Sequence, residues 1–173
     1  MIPKKAMNEI SKLGSESETI FFGVKDKYCV VKKGTIILSI RLLESKFPDY
    51  EVVILKETPI IIDMHKNLML EAMRKMLILS NERYRAVKMT IGEGMMELVS
   101  MNPELGNAQE NIPVNYDGSK IIEVGFNPRY FVDALQSMES ENITLGFKDN
   151  SKPCVLKGEI DDGFLALMMP MRI

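Results

Sequence analysis

One pattern recurs along the sequence: an amphipathic helical stretch followed by three short strand-like runs. The helical stretches are predicted at residues 3–13, 64–79 and 127–138, and their starts lie about 61 and 63 residues apart. Such a period indicates repeated supersecondary units, and one such unit cannot bury its apolar face without a neighbour. The chain is therefore expected to fold as a few similar modules packed together.

A further strand-like run precedes each of the two later helices, at 58–63 and 120–126. Turn signals such as GEG, KDNS and IDDG separate the runs. The module therefore reads β-α-β-β-β, with Asp63 and Asn127 as candidate helix N-caps. It occurs twice in the later part of the chain, and the first part holds a third copy that is predicted to lack its leading strand.

This pattern predicts an α+β fold in which helices lie on one face of antiparallel sheets. Residues 1–46 are interpreted as an incomplete half-domain, 47–57 as a connector and 58–173 as a complete domain. The polar stretch 102–112, NPELGNAQENI, is predicted to be a loop.

Composition excludes several classes of function. The chain carries 22 basic and 24 acidic residues, a net charge of −2, so it is not a generally basic nucleic-acid binder, although a local basic face remains open. With two cysteines and one histidine, His65, it has neither a disulfide framework nor a metal-ligand cluster, and no cofactor is predicted. No apolar run reaches the roughly 18 residues of a membrane helix, and no signal peptide opens the chain, so no membrane association and a cytoplasmic location are expected.

The predicted helices carry basic residues on their polar faces although the chain as a whole is acidic. A basic helix face is either solvated surface or a site of phosphate contact, and the sequence leaves both readings open. No base-reading motif accompanies it. The apolar stripe of the first helix is predicted as Ala6, Met7, Ile10 and Leu13, and that of the second as Leu68, Met69, Ala72, Met73, Met76 and Leu77. The candidate DNA-facing residues are Lys4, Lys5, Lys12, Lys66, Arg74, Lys75 and Arg129.

The chain ends in an apolar run, LALMMPMRI, although chain termini are usually polar. One reading is a core strand, and the other is the wall of a groove that a partner fills. Both can hold for alternate side chains of one strand. Methionine suits a groove because its flexible thioether repacks around different ligands.

Four segments together resemble one family: FPDY in the connector, LILSNERYRAVKM after a helix, GFNPRYFVDALQ, and the terminal MPMRI. They are similar, in order and spacing, to the bacterial DNA polymerase III beta subunit, the ring-shaped sliding clamp. The resemblance implies the DNA-clamp fold and a non-catalytic processivity factor with three similar domains, closing as a head-to-tail homodimer ring around duplex DNA. The chain would match half of the middle domain and the complete third domain.

The same resemblance implies a hydrophobic groove that binds short motifs of the polymerase III catalytic subunit, the clamp loader and other clamp-motif proteins. It also implies a subunit interface at the end of a helix, at Ile78 and Leu79. The implied groove residues are Pro48, Val52, Val53, Ser151, Pro153, Leu167, Met168, Met169, Pro170, Met171 and Arg172.

Two other functions stay open on the sequence alone. An α+β enzyme or small-molecule binder would need a pocket with convergent titratable groups, and the sequence offers no such cluster. A standalone short adaptor would bind the same partner peptides without encircling DNA. The sequence does not separate this adaptor from a fragment of a longer subunit.

Overall fold

The protein forms two compact units in a computed structural model, Met1–Asp49 and Tyr50–Ile173. The structure describes residues 1–14, 19–44, 49–55, 57–79 and 86–172. All elements are helices or antiparallel strands, so the α+β class predicted from the sequence is confirmed. The division into half-domain, connector and complete domain stays a prediction.

The first unit consists of one helix and three strands, namely α1 Lys4–Leu13, β1 Phe21–Lys25, β2 Tyr28–Lys33 and β3 Ile36–Arg41. The strands form an antiparallel sheet in the order β1-β2-β3. Its small core contains Cys29, Val31 and Ile40, and α1 covers it with Ile10 and Leu13 among others. Met7, predicted to share the apolar stripe of α1, is instead 48% exposed.

The second unit contains two β-α-β-β-β modules. The elements of the first module are β4 Ile60–His65, α2 Lys66–Leu79, β5 Val87–Gly92, β6 Met95–Asn102 and β7 Gly106–Pro113. Those of the second are β8 Ile122–Phe126, α3 Pro128–Gln136, β9 Asn142–Phe147, β10 Cys154–Gly158 and β11 Ala166–Met168. Each module contributes one helix and most of one four-stranded sheet, and the sheet orders are β11-β10-β9-β4 and β7-β6-β5-β8.

The two modules exchange their leading strands. β4 pairs with β9 of the second module, and β8 pairs with β5 of the first, each in continuous antiparallel register. Both helices and both sheets therefore share one core. Phe126 at the end of β8 meets the ring of Phe131 on α3 edge-on at 5.3 Å, and it lies 6.4 Å from the ring of Phe147 on β9.

The second helix begins two residues later than predicted, at Lys66, because the preceding strand extends to His65. Asp63 is therefore not an N-cap: it lies inside β4, where its carboxylate accepts a hydrogen bond from Thr144 Oγ1 at 2.7 Å. The predicted cap of the third helix is confirmed, since Asn127 Oδ1 accepts a hydrogen bond from the Arg129 amide at 3.0 Å.

The stretch 102–112 is not the predicted loop. Most of it is the strand β7, which pairs with β6 from Gly106 to Pro113. The hairpin turns at Asn102, whose side-chain oxygen accepts the amides of Glu104 and Leu105. The polar sequence misled because β7 lies at a sheet edge and carries a single buried residue, Ile112.

The buried face of α2 differs from the predicted stripe. Leu68 is 40% exposed, and Leu70 is buried in its place. The difference comes from tertiary packing, because α2 contacts α3 and also β4, β6 and β7. These neighbours bury a face of the helix that differs from the face predicted from apolar spacing alone. The buried residues of α2 are Met69, Leu70, Ala72, Met73 and Met76.

A polar cluster ties the end of the α3–β9 connection to the loop after β10. The carboxylate of Asp161 accepts the amides of Glu139 at 2.8 Å and Ser140 at 3.2 Å, and the Ser140 hydroxyl also donates to it. These hydrogen bonds, that of the Ser140 side chain first, hold the pKa of Asp161 below its usual value. Ser140 is fully buried, and its oxygen accepts the Ile160 amide at 3.0 Å.

We expect Gly158→Ala to destabilise the protein, because Gly158 on β10 lies against this cluster. An added Cβ would overlap the Asp161 carboxylate and the Ser140 hydroxyl and would come within 2.8 Å of Met138 Cε. Overpacking of this kind costs about 1–3 kcal/mol in the free energy of unfolding. Urea denaturation measures it. Gly92→Ala on β5 is the control, since its Cβ would meet nothing within 4 Å, and equal destabilisation of both variants would contradict the packing account.

The Asp161 cluster also predicts a pH dependence. A carboxylate whose pKa is depressed in the folded state stabilises that state above its unfolded pKa of about 3.9, and the stabilisation disappears as pH falls through the folded value. The difference in unfolding free energy between wild type and Asp161→Asn should therefore be largest near neutral pH and shrink below about pH 4. Asp162→Asn, at a side chain outside the cluster, should keep the wild-type profile, and an unchanged gap at low pH would contradict the assignment.

Candidate functional site

The chain after β11 crosses to the edge of the other sheet and forms one wall of a groove. The amide of Met171 donates to the carbonyl of Gly125 on β8 at 2.8 Å, so the tail continues past its own sheet. The tail groove, of about 590 Å³, opens between β8, the β9–β10 loop and the tail. It is lined by Glu123, Val124, Gly125, Asn150, Ser151, Pro170, Met171 and Arg172.

The methionines of the tail divide between core and surface. Met168, on β11, is 3% exposed and belongs to the main core. Met169 is 57% exposed and Met171 is 38% exposed. Met168 thus fits the reading as a core strand, and Pro170 and Met171 are the apolar tail residues that line the groove. That a partner fills this groove stays a prediction.

The β9–β10 loop is fixed by one carboxylate. Asp149 Oδ1 accepts the amide of Ser151 at 2.8 Å, its hydroxyl at 2.6 Å and the amide of Lys152 at 3.1 Å. These hydrogen bonds, led by that of the Ser151 side chain, lower the pKa of Asp149. Asn150 and Ser151 are thereby held at the groove. At the start of β10, burial raises the pKa of the Cys154 thiol, which is consequently neutral and unsuited to nucleophilic chemistry.

The structure brings together four of the predicted groove residues and leaves the others elsewhere. Pro153 is buried, and Val52 and Val53 are exposed in a turn that does not line the tail groove. Leu167, Met168 and Met169 do not line it either, and Pro48 lies outside the described residues. The predicted residues that do line it are Ser151, Pro170, Met171 and Arg172.

Sequence reasoning missed the wall that β8 supplies, namely Glu123, Val124 and Gly125, and also Asn150. The run KIIEVGF was recognised as a strand, but its pairing with the tail joins residues 46 positions apart, Gly125 and Met171. No local pattern in a single sequence encodes such a pairing.

The basic residues of α1 lie in the first unit. Lys4 and Lys5 are exposed and have no carboxylate within 4 Å among the residues that the structure describes. Lys12 pairs with Glu9 at 2.8 Å, one turn earlier on the same helix. An exposed pair of this kind is worth less than about 1 kcal/mol, so it does not remove Lys12 from contact with an external anion.

In the second unit the predicted DNA-facing residues differ in their surroundings. Arg74 is exposed and has no carboxylate partner in the described part of the chain, whereas Lys75 pairs with Glu110 on β7 at 2.9 Å. Arg129 lies 4.0 Å from Asp133. The ammonium of Lys66 donates to the Met138 carbonyl at 2.7 Å, so we leave Lys66 out of the proposed DNA-facing set.

The predicted subunit-interface residues end α2. Ile78 is 78% exposed, and Leu79 is half-buried with its carbonyl accepting Asn102 Nδ2 at 2.7 Å. That bond places the end of α2 at the β6–β7 hairpin, where Met101 and Leu105 are also exposed, at 63% and 66%.

Two features are absent from the residues that the structure describes. None of the helices has both the length and the apolar composition needed to cross a membrane. Within the same residues, no group of three or more histidine, cysteine, aspartate or glutamate side chains converges to hold a metal ion.

Comparison with known proteins gives concordant matches. A family model for the C-terminal domain of the DNA polymerase III beta subunit matches residues 52–172. The beta sliding clamps of Pseudomonas putida and Chlamydia pneumoniae are each 30% identical over the whole chain, which covers 47% and 46% of their lengths. The chain thus spans about half the length of the curated relatives it matches.

Solved structures agree with this. The DNA polymerase III subunit beta of Pseudomonas aeruginosa superposes with a TM-score of 0.87 at 26% identity, covering 99% of this chain and 47% of that one. The sliding clamp of Bartonella birtlesii bound to griselimycin also gives a TM-score of 0.87, at 28% identity, and covers 100% of this chain and 47% of that one.

Proposed function

Because the chain belongs to the DNA polymerase III beta subunit family through its C-terminal domain, we propose that it serves in a DNA sliding clamp. Such a clamp encircles duplex DNA without sequence specificity and tethers the replicative polymerase and other partners. Its role is mechanical, not catalytic. The strongest support is the match of residues 52–172 to the family model, together with a TM-score of 0.87 against a solved clamp.

The proposed DNA contacts are the exposed basic side chains of the three helices. Lys4, Lys5 and Arg74 carry positive charge that no described carboxylate within 4 Å neutralises. Lysine and arginine on flexible stems neutralise phosphates without reading base edges, and this gives binding that is independent of sequence. Lys12, Lys75 and Arg129 exchange weak surface pairs for phosphate contacts at little cost.

The proposed partner site is the tail groove. Its apolar wall comes from Pro170 and Met171, and its polar groups come from Ser151, Arg172 and Glu123. An extended peptide with one apolar and one polar side fits such a lining, and methionine adapts to different partners. The groove is broadly open to solvent, so we expect weak binding to this chain by itself.

The proposed assembly surface is the exposed end of α2. Ile78 offers an apolar side chain that is 78% exposed, next to the half-buried Leu79. In a head-to-tail homodimer ring this surface would be covered by a different domain of the neighbouring subunit, because a heterologous contact joins two unlike patches.

The DNA role predicts salt-dependent binding that charge reversal on the helices weakens. The variant Lys4→Glu, Lys5→Glu and Arg74→Glu should bind a fluorescein-labelled duplex about tenfold or more weakly at low salt. The slope of log affinity against log salt should become shallower by about 0.9 for each phosphate that the variant no longer neutralises. Fluorescence anisotropy of the full 173-residue chain measures both quantities.

The matched control reverses three exposed lysines that lie off the helices, Lys25, Lys148 and Lys157. It changes the net charge equally, so it should retain most of the affinity if the helices carry the phosphate-binding side chains. An equal drop in affinity for both variants, or binding that does not respond to salt, would contradict the proposed DNA-facing set.

The groove role predicts that a known ligand of a relative perturbs the tail. Griselimycin, which is bound to the Bartonella birtlesii clamp, should shift the methyl resonance of Met171 in a methionine-labelled sample. The exposed Met95 and Met101 on β6 lie outside the tail groove and serve as internal controls. No shift at saturating ligand, or equal shifts at Met101, would exclude the tail groove as the binding site in this chain.

A further inference from the structure

The second unit contains the geometry of the tail groove twice. Two isolated bridges join its sheets, Asp63 with Asn115 and Gly125 with Met171. Asp63 is on β4 and Gly125 on β8, the two exchanged leading strands, and each lies three residues before its helix begins, at Lys66 and Pro128. Their partners each follow the last strand of a module, within three residues of the end of β7 or β11.

A second groove opens beside the Asp63–Asn115 bridge, as the tail groove opens beside the other. At this bridge two backbone hydrogen bonds join the segments: the Asn115 amide donates to the Asp63 carbonyl at 2.7 Å, and the Asp63 amide donates to the Asn115 carbonyl at 3.2 Å. This β4 groove has a volume of about 320 Å³. It is lined by Pro59, Ile60, Ile61, Asp63, Asn115, Tyr116, Asp117 and Ser119.

The backbone of β4 presents unpaired hydrogen-bonding groups to this groove. Asp63 turns its N–H and C=O away from β9 and towards Asn115. In an antiparallel pair the direction alternates along the strand, so Ile61, two residues earlier, points its N–H and C=O to the same outer side. No described residue bonds them there, and the side chain of Ile61 is 45% exposed. An edge of this kind accepts an added strand.

The floor of the β4 groove is rigid and partly apolar. Tyr116 is 9% exposed, and its hydroxyl donates to the Lys120 carbonyl at 2.7 Å and accepts the Lys120 amide at 3.2 Å. The ring is therefore held in place before any ligand arrives. Pro59 and Ile61 add apolar surface beside it.

The charge of the β4 groove distinguishes it from the tail groove. Its two charged lining residues are the carboxylates of Asp63 and Asp117, whereas the tail groove is lined by one residue of each sign, Arg172 and Glu123. One carboxylate oxygen of Asp63 accepts a hydrogen bond from Thr144 Oγ1, and Asp117 accepts one from the Ser119 amide at 3.0 Å. The remaining lone pairs of both carboxylates face no cation among the described residues, so a ligand with positive charge complements this lining.

We propose that the β4 groove is a second docking site, and that its occupant is an extended segment of another protein carrying lysine or arginine. The segment pairs its backbone with the outer edge of β4 at Ile61. One of its apolar side chains covers Tyr116, and a basic side chain reaches Asp63 and Asp117. Because the two grooves are lined by different residues and differ in charge, one clamp can hold two different segments at the same time.

The test uses two short probes on the full chain, an acetylated Val-Arg-Val-Arg-Val amide and its counterpart with glutamate in place of arginine. Amide chemical shifts from ¹H–¹⁵N NMR report where each binds. The arginine peptide should shift the amides of Ile61, Asn115 and Asp117 and leave that of Met171 unchanged. The glutamate peptide should leave all of them unchanged.

Asp117→Asn is the diagnostic variant, because its side-chain oxygen can still accept the Ser119 amide while the charge is removed. It should weaken binding of the arginine peptide by about twofold to fivefold, which lies within the range of an exposed ion pair. Asp162→Asn removes a charge outside the β4 groove and should have no effect. Three outcomes would each overturn the proposal: no shift of the Ile61 amide, equal shifts with the glutamate peptide, or a shift of the Met171 amide in place of the Ile61 amide. Binding of griselimycin and of DNA stays measurable in Asp117→Asn, so failure here is separable from failure of the clamp role.

Discussion

The exchange of leading strands between two modules is the constraint on which the second unit depends. β4 forms a full ladder with β9, from Ile60 opposite Phe147 to His65 opposite Asn142, and β8 does the same with β5. Neither module can leave the other without breaking one of these ladders and exposing the shared core. The exchange also decides where the surface features lie, since it makes β4 and β8 the sheet edges at which both grooves open.

The repeat in the sequence predicts the two β-α-β-β-β modules, though not the exchange of their leading strands, because apolar spacing and turn residues are local signals. The Asn127 cap is also a local signal: Asn127 precedes a helix that begins with proline, and its side chain accepts a hydrogen bond from the amide of Arg129, two residues later. Asp63 carries the same local signal and fails, because β4 continues past it and pairs with β9. The prediction of a loop at 102–112 was wrong because a signal was missing: an edge strand such as β7, with both faces largely exposed, shows no apolar alternation.

The candidate site divides along the same line. The resemblance named Ser151 and the residues Pro170 to Arg172, and the structure places them together along the tail groove. Their role in partner binding stays a prediction. It could not supply Gly125, because the bond from the Met171 amide to that residue is fixed by tertiary packing. Lys66 shows the same limit for charge: a helical wheel places it among the solvated lysines, but the folded chain brings the Met138 carbonyl to its ammonium.

The internal repeat separates what the backbone provides from what side chains specify. The same kind of backbone bridge forms at Asp63 and at Gly125, so a groove beside the leading strand is a feature of both modules. At equivalent positions around it the residues differ: Ile61 stands where the other module has Glu123, and Tyr116 where it has Arg172. A backbone edge contributes affinity to any extended chain, whereas charged and aromatic neighbours decide which chain is retained. Because the two grooves differ in charge, we expect them to select different segments. The acidic lining at Asp63 and Asp117 also repels phosphate groups, whereas the exposed basic side chains that we propose as DNA contacts attract them.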